Sequence, residues 1–235
     1  MRIFTFLCFI SSLSIHSVTF AQQDSISYQE RYGLSVGVDL NKITRSLYDE
    51  GFQGVQFYGD YRINDDLFLA SELGFDDVVF RNQVLVNKTT GTYLKAGANW
   101  NVYDNWLGMQ NQIYVGGRLG LAQFSHELQE YRIYTRDNFF NQDIRTDKTN
   151  FDGLFASWVE FQLGFRVEMI KNIFLGTHIQ FKTRISATDI TNYDHLYIPG
   201  FFETNDNSSF GVGWAYTITY LFPFKKIEKK QAVNN

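Results

Sequence analysis

The stretch VEFQLGFRVEM, residues 159 to 169, alternates at every position. Val159, Phe161, Leu163, Phe165, Val167 and Met169 fall on one side, and Glu160, Gln162, Gly164, Arg166 and Glu168 fall on the other. A strand sends successive side chains to opposite faces, so the segment reads as a strand with one wholly apolar face and one charged face. Which of the two faces meets water separates a soluble ligand-binding barrel from a barrel in a membrane.

The same two-residue period recurs in eight segments, about 31–40, 52–63, 67–76, 91–103, 110–125, 153–170, 173–187 and 209–222. Each is long enough for the 9 to 11 tilted residues that cross a bilayer. Their connections differ by position. Asn64 to Asp66, Asp104 to Met109 and Lys171-Asn172 are short, whereas 41–51, 77–90, 126–152 and 188–208 read as longer polar loops. Turns at one end and loops at the other fit an even-stranded barrel of a bacterial outer membrane, with loops outside and both chain ends in the periplasm. Glycine on the polar faces supports this choice. It weakens a solvated strand, but it makes room in a narrow lumen. Aromatic residues at the strand ends supply two girdles, with Tyr61, Trp100, Tyr220 and Phe222 on the turn side and Phe75, Phe155, Phe210 and Trp214 on the loop side. The expected fold class is therefore all-β, an eight-stranded antiparallel up-and-down transmembrane β-barrel.

The opening MRIFTFLCFISSLSIHSVTFA has one Arg, an apolar run and a small-x-small ending. It reads as a secretory signal peptide, residues 1–21, cut after Ala21. An N-terminal periplasmic segment 22–30, a barrel 31–224 and a basic periplasmic tail 225–235 are expected to follow. The only cysteine, Cys8, lies in the leader, which leaves no disulfide or thiol chemistry afterwards. The chain carries 21 Lys and Arg against 25 Asp and Glu, and losing Arg2 with the leader leaves 20 against 25. Such a balance argues against a nucleic-acid partner.

Inward positions collect Asp39, Asp60, Glu72, Glu160 and Glu168 against Arg62, Lys95, Arg118, Arg166, Lys182 and Arg184. Eight strands enclose a space that side chains fill, so these groups are expected to form a paired ionic network and not a water pore. Ser125-His126 and Asp194-His195 invite a catalytic reading, but sequence neighbours on a strand face apart. His178 points into the lumen without partners at metal-ligand spacing. The expectation is no catalytic residue, no metal, no cofactor and no small-molecule substrate.

Several segments resemble a family of small outer-membrane β-barrels of unknown function found in Bacteroidota: VDLNKITRSLYDEGFQG, YDNWLGMQNQIYVGGRLG, SWVEFQLGFRVEMIKNIFLG, YDHLYIPGF and FGVGWAYTITYLFPFKK. The resemblance implies an eight-stranded barrel in the outer membrane and carries no catalytic residues. Surfaces are then left for function. The leading expectation is a non-catalytic accessory subunit, in contact with outer-membrane lipid and docked to a larger complex such as a transporter or the barrel-assembly machinery. Tyr197 and Phe201, around Pro199-Gly200 in the last loop, are its expected partner-binding residues. A free-standing structural or adhesive barrel and a lipid-modifying enzyme are the alternatives.

Overall fold

The computed structural model describes residues 25–105, 108–133, 143–204 and 208–232, so the expected leader lies outside the described residues. Eight long strands form the barrel: β1 Ser25–Asp39, β2 Phe52–Arg62, β3 Leu67–Arg81, β4 Leu85–Asn101, β5 Gln112–Ile133, β7 Thr149–Ile170, β8 Ile173–Ala187 and β11 Phe210–Ala232. Each pairs antiparallel with its sequence neighbour in that series, and β1 pairs with β11 to close the ring. A closed ring leaves no open sheet edge around the barrel. Four smaller elements decorate the loop end: helix α1 Leu40–Tyr48, β6 Asp143–Arg145, and a miniature hairpin of β9 Tyr197–Ile198 and β10 Phe202–Glu203.

Local chemistry sets the reversals. In the turn before β3, Asn64 Oδ1 accepts from the N–H groups of Asp66 (3.0 Å) and Leu67 (2.8 Å). Asn82 repeats the device at the other end, accepting from Val84 and Leu85, each at 2.8 Å. As a result, the long polar loop expected at 77–90 is mostly strand, closed by a tight turn. Lys171-Asn172 joins β7 to β8, with Asn172 at φ 67°, a left-handed conformation that Asn tolerates.

Two further differences come from tertiary structure. The expected loop 41–51 holds α1, which Asp39 caps by accepting from the Asn41 N–H at 2.8 Å. Nine residues are too few for an independent helix, and Lys42 is its one buried side chain. The segments expected to leave the barrel, 22–30 and 225–235, are also not separate where they are described. Ser25–Tyr32 pairs with Lys225–Ala232 as a two-stranded ribbon that continues the β1–β11 seam, with a bulge at Phe224.

At the loop end the wall is uneven. β3, β4, β5, β6 and the start of β7 rise above the rest, with Leu85 opposite Tyr131 and Arg132 opposite Ile144. Outward side chains along the eight strands are mostly apolar and exposed, including Val36, Phe57, Leu69, Leu94, Leu119, Leu163, Ile179 and Tyr216, with scattered exposed Ser, Thr and Gln such as Ser71, Thr92 and Gln123. The side chains that bury are the inward ones, and many of them are charged.

Candidate functional site: a filled lumen and its two closures

At the middle of the lumen, Glu72 on β3 stands beside Lys95 on β4, its cross-strand partner. Lys95 Nζ reaches Glu72 at 3.0 Å and Glu160 on β7 at 3.3 Å, and the Arg118 guanidinium approaches Glu72 at 3.5 Å. The remaining carboxylate lone pairs are taken by Gln56 (3.0 Å) and Gln162 (3.1 Å) on Glu72, and by Gln162 (2.6 Å) and the Trp158 indole (3.2 Å) on Glu160. Glu72 is 0 % exposed. Buried charges are tolerated in this way only when paired and further hydrogen-bonded. One step toward the turn end, Arg166 pairs with Asp60. Arg118 ties the two levels together through Asn99 Oδ1 at 2.7 Å, and Asn99 donates to Tyr58 at 3.0 Å. Glycine makes room here for aromatic rings more than for long charged chains. Trp158 lies where a side chain on Gly120 would be, and Tyr93 lies where one on Gly74 would be.

The loop end is closed by α1 and the β9–β10 hairpin, which meet at Asp76 on β3. The Asp76 carboxylate is fully buried and accepts from Lys42 Nζ, from the Tyr197 hydroxyl at 3.0 Å and from the Gly200 N–H at 3.0 Å. Gly200 has φ 77° and lies against the Tyr93 ring, so a side chain there would be both strained and obstructed. From β8, Lys182 Nζ donates to the Gly200 carbonyl at 2.8 Å and sits 3.8 Å above the centre of the Phe202 ring. Phe201 packs edge-on to Trp158, and Ile198 is 0 % exposed in the same apolar cluster.

This placement corrects the expected partner-binding loop. Tyr197 and Phe201 are each 2 % exposed and point into the barrel, so neither side chain is free to meet another protein. They are anchors of the closure.

At the turn end the ribbon is tied on both sides. Arg31 donates to Glu168 (2.6 Å) and Asn172 (2.5 Å) at the β7–β8 turn. Glu30 accepts from Arg62 at 2.8 Å, Tyr32 donates to Asp65, and Lys229 reaches Asp65 at 2.5 Å and Glu30 at 3.4 Å. Hydrogen bonds from Lys229 and Tyr32 hold the Asp65 carboxyl below its usual range. Burial and the bond to Asp65 push the Tyr32 hydroxyl up to about 12.

Of the expected ionic network, Asp60, Glu72, Lys95, Arg118, Glu160, Arg166 and Lys182 are buried in the lumen as the period implies. Four members act elsewhere. Asp39 is buried but caps α1. Arg62 and Glu168 belong to the ribbon ties. Arg184 is half-buried at the loop-end rim. Sequence reading missed Lys42 and Asp76 because both lie at the ends of the periodic segments, where a face assignment no longer says what stands across the lumen.

The two histidine motifs also meet, though neither forms the pair its neighbours suggest. His195 Nε2–H donates to the Thr188 carbonyl (2.7 Å), which leaves Nδ1 to accept from His126 Nε2–H (2.9 Å); His126 Nδ1 then accepts from the Thr89 hydroxyl (2.8 Å). Burial holds the His195 imidazole below its ordinary value. Both rings are spent on holding the last loop to β4 and β5, and Ser125 Oγ turns to the Thr90 carbonyl at 3.5 Å. His178 Nε2 accepts from the Gln180 side-chain N–H at 2.8 Å within the lumen. Among the described residues, no three His, Cys, Asp or Glu side chains gather to hold a metal ion.

Residues 1–227 match a domain of unknown function, DUF6048. The chain belongs to the DUF6048 family. That match spans β1 to β8 in full and β11 as far as Ile227, leaving only the last residues of the ribbon of this DUF6048 chain beyond it. Comparison with solved structures returns Ail, the attachment invasion locus protein of Yersinia pestis, at 10% identity and a TM-score of 0.37, covering 88% of this chain and 100% of that one. A search of curated proteins gives no match.

Proposed function

We propose that this chain is a closed barrel of a Bacteroidota outer membrane, with its loop end outside and its ribbon in the periplasm, serving as a non-catalytic accessory subunit beside a larger membrane complex. One observation carries the membrane part. The exposed face of the eight strands is dominated by large apolar side chains, while most of the buried side chains in the lumen that carry charge are carboxylates, guanidiniums and ammoniums in mutual contact. A water-soluble protein seldom exposes an apolar surface on that scale, and a lipid-immersed barrel requires it.

The accessory role rests on which surfaces the fold leaves open. The lumen is filled by paired charges, the loop end is covered by α1 and the hairpin, and the tall wall of β3 to β6 stands clear of that cover. Near the upper limit of the described part of that wall, Val84 (56% exposed) and Ile144 (47% exposed) flank Arg132, whose backbone N–H donates to the Val84 carbonyl at 2.8 Å. Two apolar side chains around an arginine are chemistry found at protein interfaces. The docking surface in this reading is that patch and not the buried Tyr197 and Phe201.

The test is co-purification from detergent-solubilised outer membranes, with wild type compared against Val84→Asp/Ile144→Asp. The double variant should keep heat-modifiable mobility on unheated gels, which reports a folded barrel, and should lose the partner complex. Equal partner yield from both proteins would reject the patch as the docking surface. A wild type that retrieves no complex would reject the accessory role.

A further inference from the structure

The ribbon places two lysines where the apolar wall ends. On β11 the outward residues run Phe210, Val212, Trp214, Tyr216, Tyr220 and Phe222, and Phe224 follows at the bulge with 70% exposure. At about 3.3 Å per residue, Phe210 to Phe224 covers on the order of 46 Å of strand, or about 35 Å along the membrane normal at a tilt near 40°. That length spans an apolar band of about 25 Å together with its two aromatic girdles. Lys225 and Lys226 come next, both exposed, with Lys171 exposed on the neighbouring β7–β8 turn.

These lysines are held in place and are not neutralised. Lys225 is paired across the ribbon with Tyr32, and Lys226 with Arg31. Tyr32 is tied to Asp65, and Arg31 to Glu168 and Asn172. The ribbon's other charges are mostly committed: Glu30 to Arg62 and Lys229, and Lys229 also to Asp65. Glu228 is exposed further along. Among the described residues no carboxylate lies within ion-pair distance of Lys225 or Lys226.

We propose that Lys225 and Lys226, fixed by the ribbon just below Phe222 and Phe224, bind the phosphates of anionic phospholipid headgroups in the periplasmic leaflet. The aromatic rings enter the apolar edge of that leaflet, and the two lysines, which leave the ribbon on opposite faces, extend their flexible stems into the headgroup layer directly beneath it. This inference rests on the membrane reading above, because the same lysines on a soluble barrel would simply be solvated. Each lysine near an anionic lipid surface contributes about fivefold in binding, so losing both removes about 25-fold.

The experiment uses the full chain refolded in a neutral detergent. Native mass spectrometry counts phosphatidylglycerol and phosphatidylethanolamine retained from an equimolar mixture by wild type, by Lys225→Gln/Lys226→Gln, and by Lys148→Gln as a charge control at the opposite end. Wild type and the control should retain phosphatidylglycerol preferentially, and the double variant should lose that preference by about 25-fold. Undiminished preference in the double variant, an equal loss in the control, or no preference in wild type would overturn the proposal. Heat-modifiable insertion into vesicles of neutral lipid alone is scored separately. Failure there removes the membrane reading, whereas insertion without phosphatidylglycerol preference removes only the headgroup site.

Discussion

Asp76→Ala should unseat the loop-end closure while leaving the barrel standing. The carboxylate receives three donors in a site with no water access: the Lys42 ammonium, the Tyr197 hydroxyl and the Gly200 N–H. Breaking a buried ion pair by removing one partner costs about 3 to 5 kcal/mol. Each neutral donor left without an acceptor adds about 1 to 3 kcal/mol. What holds the hairpin against that penalty is the burial of Tyr197, Ile198 and Phe201, at about 1.5 to 3 kcal/mol for each apolar side chain. The two quantities are of the same size, so the variant has a cheaper option than keeping three unpaired donors buried. Its hairpin and helix lift into water.

Hydrogen exchange read by mass spectrometry tests this directly. In Asp76→Ala, amides of 40–48 and 196–204 should exchange at least tenfold faster than in wild type, while amides in β4, β5 and β7 keep their protection. Asp76→Asn retains an acceptor and should fall between the two. Lys42→Met/Asp76→Leu removes both charges and should recover much of the protection, because an apolar replacement leaves no buried ion behind. Unchanged exchange at 40–48 and 196–204 in Asp76→Ala would refute the assignment of Asp76 as the latch.

Three other outcomes follow from the same geometry. Leu163→Arg, on the exposed apolar wall, should destabilise the barrel in lipid by about 2 to 4 kcal/mol in urea titrations followed by unheated gel mobility, with Leu163→Met neutral; equal stability would exclude immersion of that wall. Wild type should give no stable conductance steps in planar bilayers, since ions paired as closely as Lys95, Glu72 and Glu160 leave no continuous water column, and reproducible open levels would contradict the filled lumen. The ribbon should respond to pH through Asp65. Its carboxyl is depressed by Lys229 and Tyr32, so its contribution is present above the unfolded carboxyl value near 3.9 and is lost as pH falls through the folded value. Amide protection of 25–32 and 225–232 should therefore survive at pH 5 and drop at strong acid, and Asp65→Asn should make that drop smaller, leaving the part carried by the Arg31–Glu168 tie.

Much of the fold was legible because a strand's two-residue period needs no partner to be read. Val159 to Met169 declared its faces alone, and Glu160, Arg166, Glu72 and Lys95 fell on the buried side by counting. Residues beyond the clean alternation were not legible in that way. Asp76 ends the periodic part of β3, and whether it would be a loop carboxylate or a buried hub depends on Lys42, Tyr197 and Gly200, which are 34, 121 and 124 positions away. The ribbon was hidden for a related reason. KKIEKK carries no alternation of its own, and it becomes a strand only because Ser25 to Tyr32 lies opposite it.

Tyr197 and Phe201 show how the same limit misleads about function. Aromatic residues in a polar loop look like anchors for a partner, and they are anchors, but the surface they grip is this chain's own Trp158 and Asp76. Composition gives the capacity of a loop to bind and not its target. A barrel mouth lined with Tyr93, Trp158 and a fully buried carboxylate must be covered by something that satisfies those groups, and the last loop is the nearest segment with the side chains to do it. Aromatic content in such a loop therefore first reports the need to close the lumen. Interaction surfaces should be sought where the closure does not reach, at the upper patch of the tall wall and along the basic ribbon.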